Sequence, residues 1–262
     1  MERFRNHPFW REFALLSMDR TRLVNYLLQV GLVSTHFVRW YETAKLGMQQ
    51  EAAEVVRRIL RDEIPSVGPT HQDARLYDLQ LMGVTTEQVR NVTLSWATAR
   101  TIKKFYKLIR FPQNHYTLRT LVGLRVAGEV LVAEQYRYVV AYMEERLGIA
   151  PKNSRFYNPH FEHDLKRSDR VVGASHTDAF DVALAALIDS EEALAVAKEA
   201  AEAAFETRFQ FLDQFDSKRR EQRKRFFENC FVAALCIGGV FLIYIRSLPS
   251  ADFLLSATAF ST

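Results

Sequence analysis

The sequence predicts an all-α protein, a bundle of seven or eight helices joined by short links. Over long stretches the apolar residues recur at three- and four-residue spacing, which is the period of an amphipathic helix. The alternation of apolar and polar residues that is typical of β-strands is hard to find. With 48% hydrophobic and 25% charged residues, the 262-residue chain is suited to one folded core.

The first predicted helix begins after Asp19, whose short acidic side chain is a preferred N-cap. The apolar pattern continues, with a break near Gly47, as far as the Asp62-Glu63 pair. Pro65, together with the glycine and proline that follow it, then interrupts the backbone. This half of the chain therefore supplies a long helical stretch that ends in two carboxylates.

Three further boundaries follow from capping residues. Thr70 is suited to cap a short helix that Gly83 closes. Thr85 or Thr86 begins the next helix, which we expect to end near Phe111, before a proline.

The second half of the chain begins with a long predicted helix over residues 114–147. A helix then begins around Tyr157, and Gly173 breaks it. Another helix covers about residues 176–189, and Ser190 begins the last one, which is rich in alanine.

The C-terminal part has a different character. Residues 229–245 (NCFVAALCIGGVFLIYI) form an uncharged run of seventeen residues. As a helix this run is about 25 Å long, slightly less than the roughly 30 Å hydrocarbon core of a bilayer. Residues 218–225, which precede it, carry six cations and one glutamate. This pattern predicts a single membrane anchor, while a buried core helix or an interfacial helix stays open as an alternative.

The anchor defines the predicted domain organisation and location. By the positive-inside rule the helical bundle lies on the cytoplasmic side of the membrane. The predicted segments are a metal-binding bundle (residues 1–217), a basic juxtamembrane segment (218–228), a transmembrane helix (229–245) and a short tail (246–262).

Composition excludes several functions. Cys230 and Cys236 both lie in the apolar run, so a disulfide scaffold, a cysteine zinc site and a cysteine nucleophile in the bundle are excluded. The chain has a net charge of +4, and residues 218–225 alone contribute +5, so the rest of the chain is nearly neutral. Nucleic acid is therefore not an expected partner. The N-terminus also lacks the apolar stretch of a secretory signal.

Metal binding is the chemistry that the composition leaves open, and several side chains that could bind a metal occur on apolar helix faces. Glu63 and His71 flank the Pro/Gly interruption, although each also fits a surface position. Glu129 is more informative, because it lies in a mostly apolar stretch where a carboxylate is expected to be paired or metal-bound. His160 and Asp164 are four residues apart and share a helix face, as a metal half-site or as a hydrogen-bonded pair.

The order of these motifs resembles the heme-oxygenase-like diiron oxidases and oxygenases, relatives by fold of thiaminase II and pyrroloquinoline-quinone synthase. The matching pieces cover about residues 1–215 and are Asp62-Glu63, THQDARLYDLQLMGV (70–84), VGLRVAGEVLVAEQY (122–136), FYNPHFEHD (156–164) and AKEAAEAAFETRFQFLDQF (197–215). The resemblance implies a seven-helix bundle that binds iron and activates O₂. The ligands that it implies are Glu63, His71, Glu129, His160 and Asp164.

One position departs from the family pattern, which usually has a further histidine three residues after the aspartate. Here that residue is Arg167, a cation that cannot bind a metal. His176 is the preferred substitute, and His163 is the alternative. The site is accordingly predicted to hold two iron ions, or one.

The predicted function is a membrane-tethered non-heme iron oxidase or oxygenase that uses O₂ on a small, lipid-like or amphipathic substrate. The alternative is a metal-free, non-catalytic binding or scaffold module at the membrane, and a homodimer stays open. If the iron site exists, the predicted ligands must point into one cavity. The aromatic residues considered for its lining are Trp40, Tyr41, Phe105, Tyr106, Tyr136 and Tyr138.

Overall fold

The structure is a computed structural model, and the chain divides into two units, Met1–Phe215 and Asp216–Thr262. The description below concerns the first unit. The residues described are 1–14, 17–64, 70–111, 113–165 and 176–216, without the side chains of 163–165.

The described residues are helical and contain no β-strand, which confirms the all-α class. Besides α-helices, these residues form a π-helical segment, Leu124–Val130, and a 3₁₀ turn, Pro151–Asn153. The thirteen α-helices in these ranges are α1 (Glu2–Arg5), α2 (Pro8–Ala14), α3 (Arg20–Ser34), α4 (Phe37–Lys45), α5 (Gln50–Glu63), α6 (His71–Leu81), α7 (Thr86–Arg90), α8 (Trp96–Leu108), α9 (Tyr116–Gly123), α10 (Leu131–Leu147), α11 (Tyr157–Leu165), α12 (His176–Leu187) and α13 (Glu191–Leu212).

The stretch predicted as one helix with one break is three helices, α3, α4 and α5. Asp19 caps α3 as predicted, accepting a hydrogen bond from the backbone N–H of Arg22 at 3.0 Å. The break that was not predicted lies at Thr35, whose hydroxyl donates to the Leu32 carbonyl at 2.8 Å. The second break includes the region around Gly47, where a break was predicted, and α5 ends at the expected Glu63.

The prediction of one helix from Thr85 or Thr86 to Phe111 was wrong, because α7 ends at Arg90 and α8 begins at Trp96. The buried amide of Gln29 holds the connection between α7 and α8. It donates to the Thr93 carbonyl at 2.8 Å and accepts the backbone N–H of Ser95 at 3.2 Å. Ser95 then caps α8.

The long helix predicted over residues 114–147 is present, but its middle turn is wider than an α-helix. The π segment Leu124–Val130 contains Gly128 and Glu129. Single π turns within α-helices are rare and frequently occur at functional sites. The change of pitch therefore coincides with the carboxylate that the sequence singled out.

Two short helices at the N-terminus, α1 and α2, have no counterpart in the sequence prediction. Their aromatic side chains are fully buried, and Phe9 packs against Tyr26 and Phe215 with ring centroids 4.9 and 5.5 Å apart. His7 belongs to this packing, since its Nε2 lies 3.1 Å from Asp213 Oδ1. The N-terminus thus closes one end of the bundle.

None of the helices in the described ranges combines the length and the apolar character needed to cross a bilayer. The predicted basic segment 218–228, anchor 229–245 and tail 246–262 lie outside those ranges.

Candidate metal centre

Three of the predicted ligands converge on one point. Glu63 is the last residue of α5, His71 is the first residue of α6, and His160 lies in the first half of α11. One carboxylate oxygen and one nitrogen from each imidazole lie within 4.8 Å of one another. The rings of His71 and His160 are 4.7 Å apart. Two helix ends and a third helix thus form a cluster of two imidazoles and one carboxylate.

Local sequence explains the position of His71. Thr70 caps α6 and forms a capping box with Asp73, in which each side chain accepts the other residue's backbone N–H. This predicted cap fixes the first turn of α6, and His71 is its first residue. The imidazole is therefore held by the capping residues that begin the helix.

The position of His160 depends on a buried carboxylate two turns along α6. Asp78 is fully buried and accepts the Ser154 hydroxyl at 2.6 Å. It also accepts the backbone N–H groups of Arg155, Phe156 and Tyr157 at 2.8, 3.0 and 3.0 Å. These N–H groups begin α11, so Asp78 acts as its N-terminal cap from a neighbouring helix. The same helix, α6, thus carries His71 and fixes the helix that carries His160.

Hydrogen bonds orient the three side chains. His160 Nδ1 lies 2.6 Å from the Phe156 carbonyl, which can only accept, so Nδ1 carries a proton and Nε2 is the ring atom left for a metal. His71 Nδ1 lies 2.6 Å from Glu63 Oε2. Burial acts to raise the pKa of Glu63, but the hydrogen bond from His71 and the charges of the nearby histidines outweigh it, so the pKa is lowered. Glu63 is accordingly an anion, as a metal ligand must be.

Glu129 lies beside this cluster and is only 2% exposed. Its Oε1 accepts the hydroxyl of Tyr41, and its Oε2 lies 3.5 Å from His176 Nδ1. The absence of a side chain at Gly128 makes room for Tyr41, because a Cβ there would lie 2.5 Å from the phenol oxygen. In the π segment, Gly128 therefore leaves the space for the Tyr41 hydroxyl, and the next residue, Glu129, is the buried carboxylate that accepts its hydrogen bond.

His176 is buried at the start of α12, between two carboxylates. Its Nε2 lies 3.3 Å from Asp62 Oδ2, on the side opposite to Glu129. Asp62 directly precedes Glu63 in α5, so His176 lies near the cluster of three. Asp62, which the sequence analysis noted only as the neighbour of Glu63, thereby becomes part of the surroundings of the site.

The structure brings five of the six predicted ligands into one region. Glu63, His71, Glu129 and His160 line the same cavity, and His176 adjoins it through Glu129. The side chain of Asp164 lies outside the described part of the chain, as do His163 and Arg167.

The cavity has a volume of about 380 Å³ and a mostly apolar wall. Of the six aromatic residues considered from the sequence, Trp40 and Tyr136 line it. Tyr41 instead supports Glu129, and Phe105 stacks on Trp40 at 4.3 Å. Phe37 and Phe156 line the cavity although the sequence analysis did not single them out.

The sequence analysis also missed polar residues of the wall, among them Arg75, Gln135 and Arg208. A signal existed for Arg75, which is four residues after His71 and so lies on the same helix face. Arg208 lies in the alanine-rich helix α13, where its length favours a surface position by sequence alone. Nothing in the sequence distinguishes Gln135 from a surface glutamine.

A second buried carboxylate on the same stretch has a different role. Glu134 is fully buried, but it pairs with Arg5 at 2.8 and 3.0 Å and with Arg137 at 2.5 Å. It therefore faces away from Glu129, in keeping with the five-residue spacing of the two carboxylates along the helix. Glu134 is charge-compensated by arginine, whereas Glu129 lines the cavity.

This fold and this donor set define a class of protein. Helical bundles with carboxylate and imidazole groups that project inward from several helices are scaffolds for iron and manganese. Two histidines and one carboxylate are the donor set that is typical of non-heme ferrous sites.

Comparison with known proteins identifies the family. Residues 24–207 match the sequence model of a family described as iron-containing redox enzymes, and the chain belongs to that family. The resemblance inferred from the motifs is thereby confirmed. No curated protein matches the chain.

Solved structures show the same fold at low identity. A CADD-like protein of unknown function from Nostoc punctiforme PCC 73102 has a TM-score of 0.61 at 17% identity, covering 83% of this chain and 89% of its own. A domain of unknown function with a heme oxygenase-like fold from Shewanella denitrificans OS217 has a TM-score of 0.64 at 15% identity, covering 87% and 89%. The heme-oxygenase-like fold predicted from the sequence is thus confirmed.

Proposed function

We propose that this protein is a non-heme iron oxidase or oxygenase that uses O₂ to oxidise a small organic substrate. The observation that carries the proposal is the convergence of Glu63, His71 and His160 at the wall of a cavity. The chemistry that bound iron supplies in such a site is the activation of O₂ for oxidation of a neighbouring substrate.

The protein's own residues perform the remaining tasks in this proposal. Glu63, His71 and His160 hold the first ion, and the bond from His160 Nδ1 to the Phe156 carbonyl keeps Nε2 as the ligating atom. The apolar wall excludes water from the reaction. A substrate of modest size fits beside the ligands, since the cavity measures about 380 Å³.

A second ion is part of the proposal. Glu129 and His176 lie 3.5 Å apart next to the first cluster, and both side chains are buried. A carboxylate and an imidazole on that side are suitable donors for another ferrous ion. Asp164 stays a predicted ligand from the family pattern.

Metal analysis tests the proposal. The full chain is reconstituted with ferrous iron under anaerobic conditions, and iron is measured per chain after removal of excess metal. We expect two equivalents, or one, and loss of at least one equivalent in His160→Ala. Glu134→Gln is the matched control, because Glu134 is buried on the same stretch but pairs with arginines. If the wild-type protein retains no more iron than His160→Ala, the metal-free scaffold is the correct function.

Membrane tethering by residues 229–245 and a lipid-like substrate complete the proposal, supported by the sequence pattern. The full chain is mixed with vesicles of phosphatidylcholine and phosphatidylserine and separated by flotation. We expect it to float with the vesicles and the variant Leu235→Asp/Val240→Asp to stay at the bottom. Oxygen uptake by the iron-loaded protein is then compared across fatty acyl compounds. Equal uptake with all of them contradicts a lipid-like substrate.

A further inference from the structure

The cavity wall contains two buried arginines that form no ion pair with an acidic side chain of the described ranges. Arg75 is 9% exposed and Arg208 is 4% exposed, and both line the cavity. Arg208 Nε donates to the Ala127 carbonyl at 2.7 Å, and its guanidinium lies over the ring of Phe105. Within the described ranges the terminal nitrogens of both guanidiniums lack a hydrogen-bond or ion-pair partner. A buried cation in this state is costly unless a ligand supplies the anion.

The acidic groups of the same wall are already engaged. Glu63 is bound to His71, and Glu129 is bound to Tyr41 and lies next to His176. Among the described residues of the cavity wall, these two carboxylates and the two arginines are the ones that stay charged near neutral pH. Iron bound to the carboxylates adds further positive charge, so the loaded cavity has an excess of positive charge.

Gln135 is a third polar group with no partner. Its side chain is fully buried in the wall, and neither its amide nitrogen nor its amide oxygen has a hydrogen-bond partner in the part of the chain that is described. Burial of an amide without hydrogen bonds costs free energy, which a polar group of a ligand recovers. The amide NH₂ is a donor of the kind that binds carboxylate oxygens.

Arg75, Arg208 and Gln135 share the cavity wall with Tyr136. Burial raises the pKa of the Tyr136 hydroxyl, and the charges of Arg208 and Arg75 both oppose this shift. Tyr136 follows Gln135 in α10 and also lines the cavity. Arg75 is on the same face of α6 as His71, one helical turn away. The wall that holds the two guanidiniums is therefore the same wall that carries the candidate ligands Glu63, His71 and His160.

Burial also lowers the pKa of Arg208 to about 10, because the charged form of a side chain is disfavoured away from water. The packing of α3 also leaves space for the side chain of Arg75. A Cβ at Gly31 of α3 would overlap the guanidinium, so the glycine leaves the space that the arginine occupies. Both arginines are thus built into the wall instead of being surface residues that happen to lie near it.

We propose that the cavity binds a small organic acid, with its carboxylate held by Arg75, Arg208 and the amide of Gln135 and its apolar part against the valine and aromatic wall. Guanidinium groups bind carboxylates with paired, charge-assisted hydrogen bonds. The apolar part lies against residues such as Val33, Trp40 and Phe156. That this acid is the substrate rests on the proposed function, whereas its binding does not.

Binding to the metal-free full chain tests the proposal, because iron cannot contribute to the binding of a carboxylate in that protein. The probes are 4-phenylbutanoate and octanoate, each compared by calorimetry with its uncharged amide, and inorganic phosphate. We expect at least one acid to bind about 10-fold or more tightly than its amide, and more tightly than phosphate. Equal binding of acid and amide, binding of neither acid, or equally tight binding of phosphate overturns the proposal.

Variants locate the carboxylate. Arg75→Met is expected to weaken binding of the acid by about 10-fold or more and to leave binding of the amide unchanged. Gly31→Ala keeps every charge but displaces the Arg75 guanidinium, and is expected to act in the same direction. Arg90→Met removes an exposed arginine at the end of α7 and is the matched control. Wild-type affinity in both Arg75→Met and Gly31→Ala overturns the assignment.

The two proposals fail separately. A chain that binds no iron but prefers the acid over the amide is a carboxylate-binding protein, and only the oxidase function is lost. A chain that binds iron but shows no preference for the acid keeps the oxidase function, and only the carboxylate assignment is lost.

Discussion

The carboxylate of Asp78 in α6 accepts the backbone N–H of Tyr157, the first residue of α11, at 3.0 Å. Asp78 is seven residues after His71, and Tyr157 is three residues before His160. One buried contact between two helices therefore fixes the relative position of two imidazoles from different parts of the chain. The metal centre depends on this contact although neither residue is a candidate ligand.

Replacement of Asp78 should weaken both the fold and the metal centre. Asp78→Ala leaves the Ser154 hydroxyl and three backbone N–H groups without their acceptor, and we expect a loss of about 3 kcal/mol in the free energy of unfolding. Iron affinity should fall by about 10-fold, as for other groups that orient ligands. Urea unfolding and iron titration measure the two effects. Asp78→Asn, which keeps one carbonyl oxygen, should be milder in both, and wild-type iron affinity in Asp78→Ala would contradict this role.

Two capping boxes allow a matched test of the α6 cap. Thr70 caps α6, which begins with His71, and Thr85 caps α7, which carries no candidate ligand. We expect Thr70→Ala and Thr85→Ala each to lower stability by about 1 kcal/mol in urea unfolding. Only Thr70→Ala should reduce iron affinity, because only this cap holds a ligand. A similar loss of iron affinity in both variants would show that the cap acts through general stability.

The two buried carboxylates near the π segment should respond in opposite ways to the same change. Glu129→Gln removes a proposed iron ligand, so we expect lower iron content per chain with little loss of stability. Glu134→Gln leaves Arg5 and Arg137 without their anion and should cost about 1–3 kcal/mol on unfolding. Its iron content should equal that of the wild-type protein. Iron analysis and urea unfolding of both proteins decide the matter, and the reverse pattern would exchange the two roles.

Gly128→Ala tests the support of Glu129 by Tyr41. The new Cβ would lie 2.5 Å from the phenol oxygen, so the hydroxyl must move away from the carboxylate. We expect about a 10-fold loss of iron affinity, comparable to loss of an outer hydrogen bond in other metal sites. Tyr41→Phe removes the same hydroxyl without adding an atom, and the two variants should agree. If Tyr41→Phe binds iron as the wild-type protein does, the hydroxyl has no part in holding the ligand.

The sequence predicted the helical class and the ends that carry the ligands. Capping residues such as Asp19, Thr70 and Ser190 act locally, and the structure shows all three as caps. Candidate ligands could be singled out because a carboxylate or imidazole in an apolar pattern is unusual, and the resemblance to the family supplied the full predicted set. These features are properties of short stretches, so they can be recognised without knowing what packs against them.

The features that could not be predicted from the sequence depend on contacts between stretches that are far apart in the chain. The end of α7 is fixed by Gln29, more than sixty residues earlier, and the N-terminal aromatics pack on Phe215. Arg208 becomes part of the cavity wall only because α13 packs on α9 and on the π segment. A lone arginine or glutamine in a helical pattern is usually exposed, so burial of these residues can be seen only in the folded chain.

The wide turn at Leu124–Val130 changes the direction in which the side chains that follow it point around the helix axis. Each residue of a regular helix advances the chain by about 100° around the axis, so one extra residue in a turn changes which direction the later side chains face. Before this turn α9 packs on α13, and after it α10 packs on α11 and α2. Deletion of one residue here would rotate α10 by about 100° relative to α9, and the side chain of Gln135 would leave the cavity wall.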